Sequence, residues 1–175
     1  IIQGNFLDDK LIDQETAKYD IILGNPPYQT PKSEIYDGSQ GNRTLWDAFI
    51  KKAFQIGTNK CCMGWITPAN WRRPEHPLYN LLVNNLEYLH IYNKASGLEL
   101  FKAQTRFDVY VVVTQDHQEN RPIPLLIDEL GERHEHKIVP KKWPFLPNFC
   151  YKEIQRILVP EGKGLEIVYD SSLYD

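Results

Sequence analysis

Four consecutive residues, Asn25, Pro26, Pro27 and Tyr28, close the apolar run "YDIILG" with side chains and carbonyls able to do chemistry. Two prolines in a row fix two φ angles and remove two backbone donors, so the Pro26 carbonyl is aimed by a stiff turn. Asn25 adds a side-chain carbonyl acceptor, and Tyr28 a flat aromatic face. Two acceptors beside a stacking ring suit a planar group that donates two N–H bonds, such as the exocyclic amine of a nucleobase. An aryl amine is a weak nucleophile because its lone pair is delocalised into the ring. Accepting both of its hydrogens returns electron density to nitrogen and stabilises the positive charge that develops there as it takes a methyl group. No general base of matched pKa has to act first.

Other residues with chemical potential read differently. His134 and His136 have a spacing that can hold a metal on a strand, but no third ligand is evident in so charged a segment, and no metal is expected. Cys61 and Cys62 sit side by side in an apolar run and, with three cysteines in all, suit a reduced, buried strand rather than a disulfide framework. The "GKG" at 162–164 is too short a pattern for a phosphate loop. The pairs Arg72-Arg73 and Lys141-Lys142 read as solvated surface. A net charge of −3 excludes a whole-molecule positive field, so any nucleic-acid contact has to be local.

These residues need a scaffold. Residues 19–25 and 61–69 are short, continuously apolar runs bounded by turn formers, as in strands covered on both faces. Between them "TLWDAFIKKAFQI" places Leu45, Phe49, Ala53 and Ile56 at helical spacing, with Lys51 and Lys52 turned outward and Gly57 as a stop. Strand, helix, strand is a right-handed parallel unit of an open α/β sheet. In such sheets ligands sit at the carboxyl ends of the strands, where residues 25–28 fall. A second helix is predicted over 76–85, followed by strands over 86–94 and 107–116. The connection between those strands is too short for a crossover, so they pair antiparallel at the sheet's edge. Residues 117–122 read as a linker and 137–149 as a proline-rich extended connector, with a short helix over 151–158 and a strand over 164–170. The chain opens without an initiator Met, a basic leader or a cleavage pattern, which reads as the interior of a longer, cytoplasmic protein. No apolar run reaches the length of a membrane span.

The "NPPY" after an apolar strand resembles the catalytic motif of S-adenosylmethionine-dependent DNA adenine-N6 methyltransferases of restriction-modification type. The order of the flanking segments is similar too: "GNFLDD" at 4–9, "TLWDAFIKKAF", "GWITPANW" at 64–71, and "GLELF" before "DVYVVV". The resemblance covers residues 1–116 and implies the later strands of a class I methyltransferase doubly wound sheet, with 117–175 as a connector and the start of a target-recognition or accessory region. It makes Asn25, Pro26, Pro27 and Tyr28 the catalytic corner, with the adenine flipped out of duplex DNA onto Tyr28, and Phe101 the aromatic on the base's other side. Two such rings, at about 1–3 kcal/mol each, would roughly offset the cost of base flipping. Asn5, Phe6, Leu45 and Trp46 would flank the cofactor. Asn5 replaces the acidic residue found there in the family, which implies a weaker hold on the cofactor's adenine.

The family's glycine-rich cofactor loop has no counterpart in this sequence. The resemblance therefore implies the C-terminal half of a catalytic domain, inactive alone, whose partners are double-stranded DNA, the missing N-terminal half and a restriction nuclease module, with no membrane. Glutamine methyltransferases acting on release factors, and some RNA guanine methyltransferases, share similar corners; a non-catalytic DNA-binding or subunit-binding remnant is the alternative of another class.

Overall fold

A computed structural model describes residues 3–8, 18–28, 44–114, 123–135, 138 and 142–158. The linker at 117–122, the strand expected over 164–170 and His136 lie outside these residues. The first strand, β1 (Tyr19–Gly24), leads to helix α1 (Trp46–Ile56) and strand β2 (Gly57–Pro68), and β1 and β2 pair in parallel, Leu23 opposite Gly64 and Gly24 opposite Trp65. The expected strand, helix, strand unit is present. After a 3₁₀ turn at Ala69–Arg72 come α2 (Tyr79–Asn85), β3 (Leu86–Tyr92), α3 (Lys94–Phe101) and β4 (Phe107–Val113), then the short strands β5 (Leu125–Ile127) and β6 (Arg133–Glu135) and helix α4 (Tyr151–Ile157). The six strands form one mixed sheet in the order β1-β2-β4-β3-β5-β6.

β3 and β4 pair antiparallel, as expected. They do not form the edge: β4 inserts beside β2, and β5 adds in parallel to β3 with β6 antiparallel outside it. An antiparallel hairpin does lie at that edge, but it is β5 and β6, so the sheet runs on past residue 116. The connection from β3 to β4 holds a helix, α3, because antiparallel neighbours need no crossover and eight residues of helix fit between them. Asn93 caps it by accepting a 3.0 Å bond from the Ser96 N–H, and Lys102, with φ of 57°, ends it in the left-handed conformation.

Strand alternation separates two faces. Met63, Trp65 and Thr67 of β2, Asp108, Tyr110 and Val112 of β4, and Leu89 and Ile91 of β3 turn to one face and are buried there. Helices α1 and α2 cover that face through Trp46, Ile50, Ala53, Leu82 and Val83, and Trp143, Leu146 and Tyr151 from the C-terminal segment complete the same core. The deepest row of α1 is Trp46, Ile50, Ala53 and Ile56, turned by about one residue from the expected row. Lys52 is buried rather than turned outward; a lysine stem can lie along apolar surface. Arg72 is buried as well, contrary to its reading as solvated surface, because it pairs with Asp108. Cys61 is a core residue with a free thiol, as expected. The opposite face carries Ile21, Leu23, Ile66, Val109 and Val111, none of them buried; Ile21 and Leu23 are 68% and 77% exposed. Among the described residues no helix is long and apolar enough to cross a membrane.

Candidate active site

The Asn25–Tyr28 corner leaves the sheet at the carboxyl end of β1. Its position depends on Gly24, over which the Trp65 ring packs: a Cβ on Gly24 would collide with the six-membered ring. Beyond it Asn25 is exposed, Pro26 buried, Pro27 exposed and Tyr28 half-buried. The Tyr28 carbonyl accepts the Leu45 N–H at 3.4 Å, tying the corner to the start of α1. Extended by one alternation, the β1 register brings Pro26 into line with Thr67 and Asp108, two strands or about 10 Å across the sheet.

A cleft of about 220 Å³ opens beside the corner, walled by Phe6, Phe49, Trp65, Asn25, Pro26 and Pro27. Phe6 stacks on Phe49 at 5.3 Å with the rings 12° apart. Ligand pockets for drug-sized molecules run to about 300–1,000 Å³; this cleft therefore holds a ring system and little more. Asn5 stands next to this wall but is exposed, and its side-chain carbonyl accepts the Leu7 N–H at 3.0 Å, so it shapes its own turn. Leu45 is half-buried at the entrance to α1. Trp46 is sealed in the core, stacked on His76 at 5.6 Å. Of the four residues expected around a cofactor, the structure brings Phe6 to the cleft and places Trp46 beneath the sheet.

Tyr28 is not among the residues that line this cleft, and the charge of Asp108 in β4 is felt at its hydroxyl. Its hydroxyl is buried without a hydrogen-bond partner among the described residues, and burial, reinforced by the charge of Asp108, pushes its pKa up, so the phenol stays protonated. Phe101 ends α3 at the same end of the sheet, 37% exposed, with its ring edge-on to Phe107 at 4.9 Å, and Phe107 stacks in turn on Tyr92 at 4.6 Å. Gly97 lets α3 lie this close: a Cβ there would run into the Thr105 carbonyl oxygen. Tyr28 and Phe101 therefore follow β1 and β3 at the same end of the sheet.

Sequence reasoning missed Arg72 and Asp108. Arg72 Nε lies 2.8 Å from Asp108 Oδ2, and both side chains are buried. Burial pushes the Asp108 carboxyl up while the guanidinium, and after it the Trp71 indole, pull it back. The signal was available in principle: an aspartate inside "FDVYVVV" has to be buried and therefore paired. Asp128, Glu132 and His134 lie close enough to be considered for a metal. Asp128 is already engaged, accepting the Leu130 and Glu132 N–H groups at 2.9 Å and meeting His134 Nε2 at 2.8 Å, which makes it the clamp of the β5–β6 turn.

With this geometry in place, comparison with known families is decisive. The model of the Eco57I restriction-modification methylase family matches residues 3–101, more than half of the chain. The chain belongs to the Eco57I restriction-modification methylase family. Solved structures similar to it include a type I restriction-modification methyltransferase subunit from Streptococcus thermophilus, at 16% identity over 72% of this chain and 29% of that one (TM-score 0.49). Others are a class I S-adenosylmethionine-dependent methyltransferase described from Listeria monocytogenes, at 15% identity over 63% and 36% (TM-score 0.45), and the type ISP enzyme LlaBIII bound to DNA, at 13% identity over 65% and 10% (TM-score 0.43). The chain spans between a tenth and about a third of the length of these three proteins. No curated protein sequence matches it. The span matched to the family takes in the corner, the cleft wall and α3 up to Phe101.

Proposed function

We propose that this chain forms the target-amine half of a DNA adenine-N6 methyltransferase site within a restriction-modification system. The observation that carries this reading is the corner itself: Asn25 and Pro26 stand at the wall of a cleft, at the carboxyl end of a strand, on a turn that two prolines stiffen. Asn25 Oδ1 and the Pro26 oxygen accept the two amine hydrogens of an extruded adenine. Tyr28 stacks on one face of the base, and Phe101 meets it from the other side of the sheet's edge. As the nitrogen takes the methyl group, the two acceptors hold the positive charge it gains, and the spare proton leaves to solvent afterwards.

The cofactor of this reading is S-adenosylmethionine, which supplies an electrophilic sulfonium methyl. The aromatic cleft fits one ring system of it, with Phe6 and Phe49 as the stacked wall. Its methionine end then requires a further polypeptide segment. The exposed apolar side chains of Ile21 and Leu23, on the strand at the end of the sheet, support such a segment packing over the open face. The chain alone is accordingly inactive, with residues 117–175 a connector and the start of a target-recognition or accessory region.

Transfer of a labelled methyl group by the complete polypeptide onto duplex DNA, release factor or ribosomal RNA tests the reading. Label in N6-methyladenine of DNA is expected; label confined to protein or RNA would contradict it. Calorimetric titration of the chain alone with S-adenosylmethionine is expected to show no micromolar binding.

A further inference from the structure

Among the buried polar atoms with no hydrogen-bond partner among the described residues are the Tyr28 hydroxyl, Asp108 Oδ1 and Trp71 Nε1, whose indole nonetheless draws the Asp108 carboxyl down. Two are donors, and the third is a carboxylate oxygen with lone pairs enough to accept both. Asp108 stands opposite Thr67 at the end of the sheet from which the corner departs, and its charge is felt at Tyr28. Its second oxygen is taken by Arg72. The rest of the guanidinium grips the connector: Nη1 donates to the carbonyls of Leu146 at 2.8 Å and Pro147 at 3.2 Å, and Nη2 to Asn148 Oδ1 at 2.9 Å. The Leu146 N–H returns a 3.0 Å bond to the Arg72 carbonyl. A line of polar contacts thus runs from the connector through Arg72 to Asp108, whose charge is felt at the ring expected to stack on the target base.

We propose that Asp108 is a positioning residue for Tyr28: its Oδ1 receives the Tyr28 hydroxyl when a base docks, and Arg72, anchored on residues 146–148, holds the carboxylate in place for it. The inference rests on the reading of Tyr28 as the stacking ring. Stacking alone needs only a phenyl face, and burying a phenol without a partner is unfavourable, so the hydroxyl is explained if it tethers the far end of the ring. A ring on a turn is otherwise free to rotate about two side-chain bonds, and small misplacements of reacting groups lower kcat steeply. Seating of the connector is in this way coupled to the plane of the stacking ring.

The test is steady-state methyl transfer to duplex DNA by the complete enzyme. Tyr28→Phe keeps the ring and removes the tether; it and Asp108→Asn are each expected to lower kcat about tenfold while KM for S-adenosylmethionine stays put. The double variant should be no slower than the slower single one. A wild-type kcat in Tyr28→Phe, or a double variant whose loss is the product of the single losses, overturns the proposal. If Asp108→Asn does not fold, Asn148→Ala takes its place: it releases one arm of Arg72 and should slow the wild-type enzyme but not the Tyr28→Phe enzyme, and equal slowing of both overturns the coupling. An enzyme that resists Asn25→Ala, or that methylates no DNA, removes the functional reading and this inference with it. One that is crippled by Asn25→Ala yet indifferent to Tyr28→Phe removes the positioning role alone.

Discussion

The two faces of the sheet are built from alternate residues of the same strands, yet they differ in kind. One face packs Trp65, Tyr110, Val112 and Leu89 beneath two helices and the C-terminal segment, and includes the buried pair of Arg72 and Asp108. The other is also apolar but largely open: Phe107 is buried beside Phe101 of α3, while Ile21 and Leu23 are well exposed. A sheet meant for water on one side alternates apolar with polar residues; this one does not, so both faces are made to be covered. The Asn25–Tyr28 corner sits where the closed face ends. Stability therefore belongs to the closed face, while the open one is where the proposed further segment would pack.

Substitutions should separate the two. The largest loss is expected from Trp46→Ala, which empties a fully buried site on the closed face and should cost about 3–5 kcal/mol in chemical denaturation. Arg72→Leu comes next: it strands the Asp108 carboxylate in the core, a defect worth about 3 kcal/mol or somewhat more, and its midpoint should recover in part when Asp108→Leu is added. A smaller effect is expected from acid. His76 lies under Trp46, accepts the Leu78 N–H through Nδ1, and has its pKa lowered first by burial and then by Arg73 and Lys51, with Asp47 opposing. Its folded value is below the ordinary one near 6.5, so its contribution is complete above that pH and is lost as pH falls through the lower folded value. The denaturation midpoint should decline from about pH 7 downward, and His76→Asn, which keeps an acceptor for the Leu78 N–H, should flatten that slope. Leu23→Ser, on the open face, is expected to change the stability of the chain by no more than about 0.5 kcal/mol. A large loss there would show that the open face is already closed in the chain alone.

The reading from sequence was strongest where one local pattern decided the outcome. The run ending at Gly24, the helical spacing of residues 44–56 and the short apolar run after it placed β1, α1 and β2 because each depends on near neighbours. The sheet order was not legible in the same way. That β4 inserts beside β2, and that β5 and β6 extend the sheet, are long-range pairings that alternation in "FDVYVVV" does not encode. Phe6 was found at the cleft. Trp46 was drawn to the cofactor by resemblance, but helix rotation by about one residue turns its ring into the core. Arg72 was misread because a charged pair looks like surface until its partner is known, and the partner lies 36 residues away.

The central claim is that Asn25 and the Pro26 carbonyl hold the amine that takes the methyl group. Single-turnover methyl transfer to duplex DNA by the complete enzyme, wild type against Asn25→Ala, tests it most directly. The rate is expected to fall by about 100-fold or more with the fold and cofactor affinity intact. An Asn25→Ala enzyme that methylates DNA at the wild-type rate would contradict it.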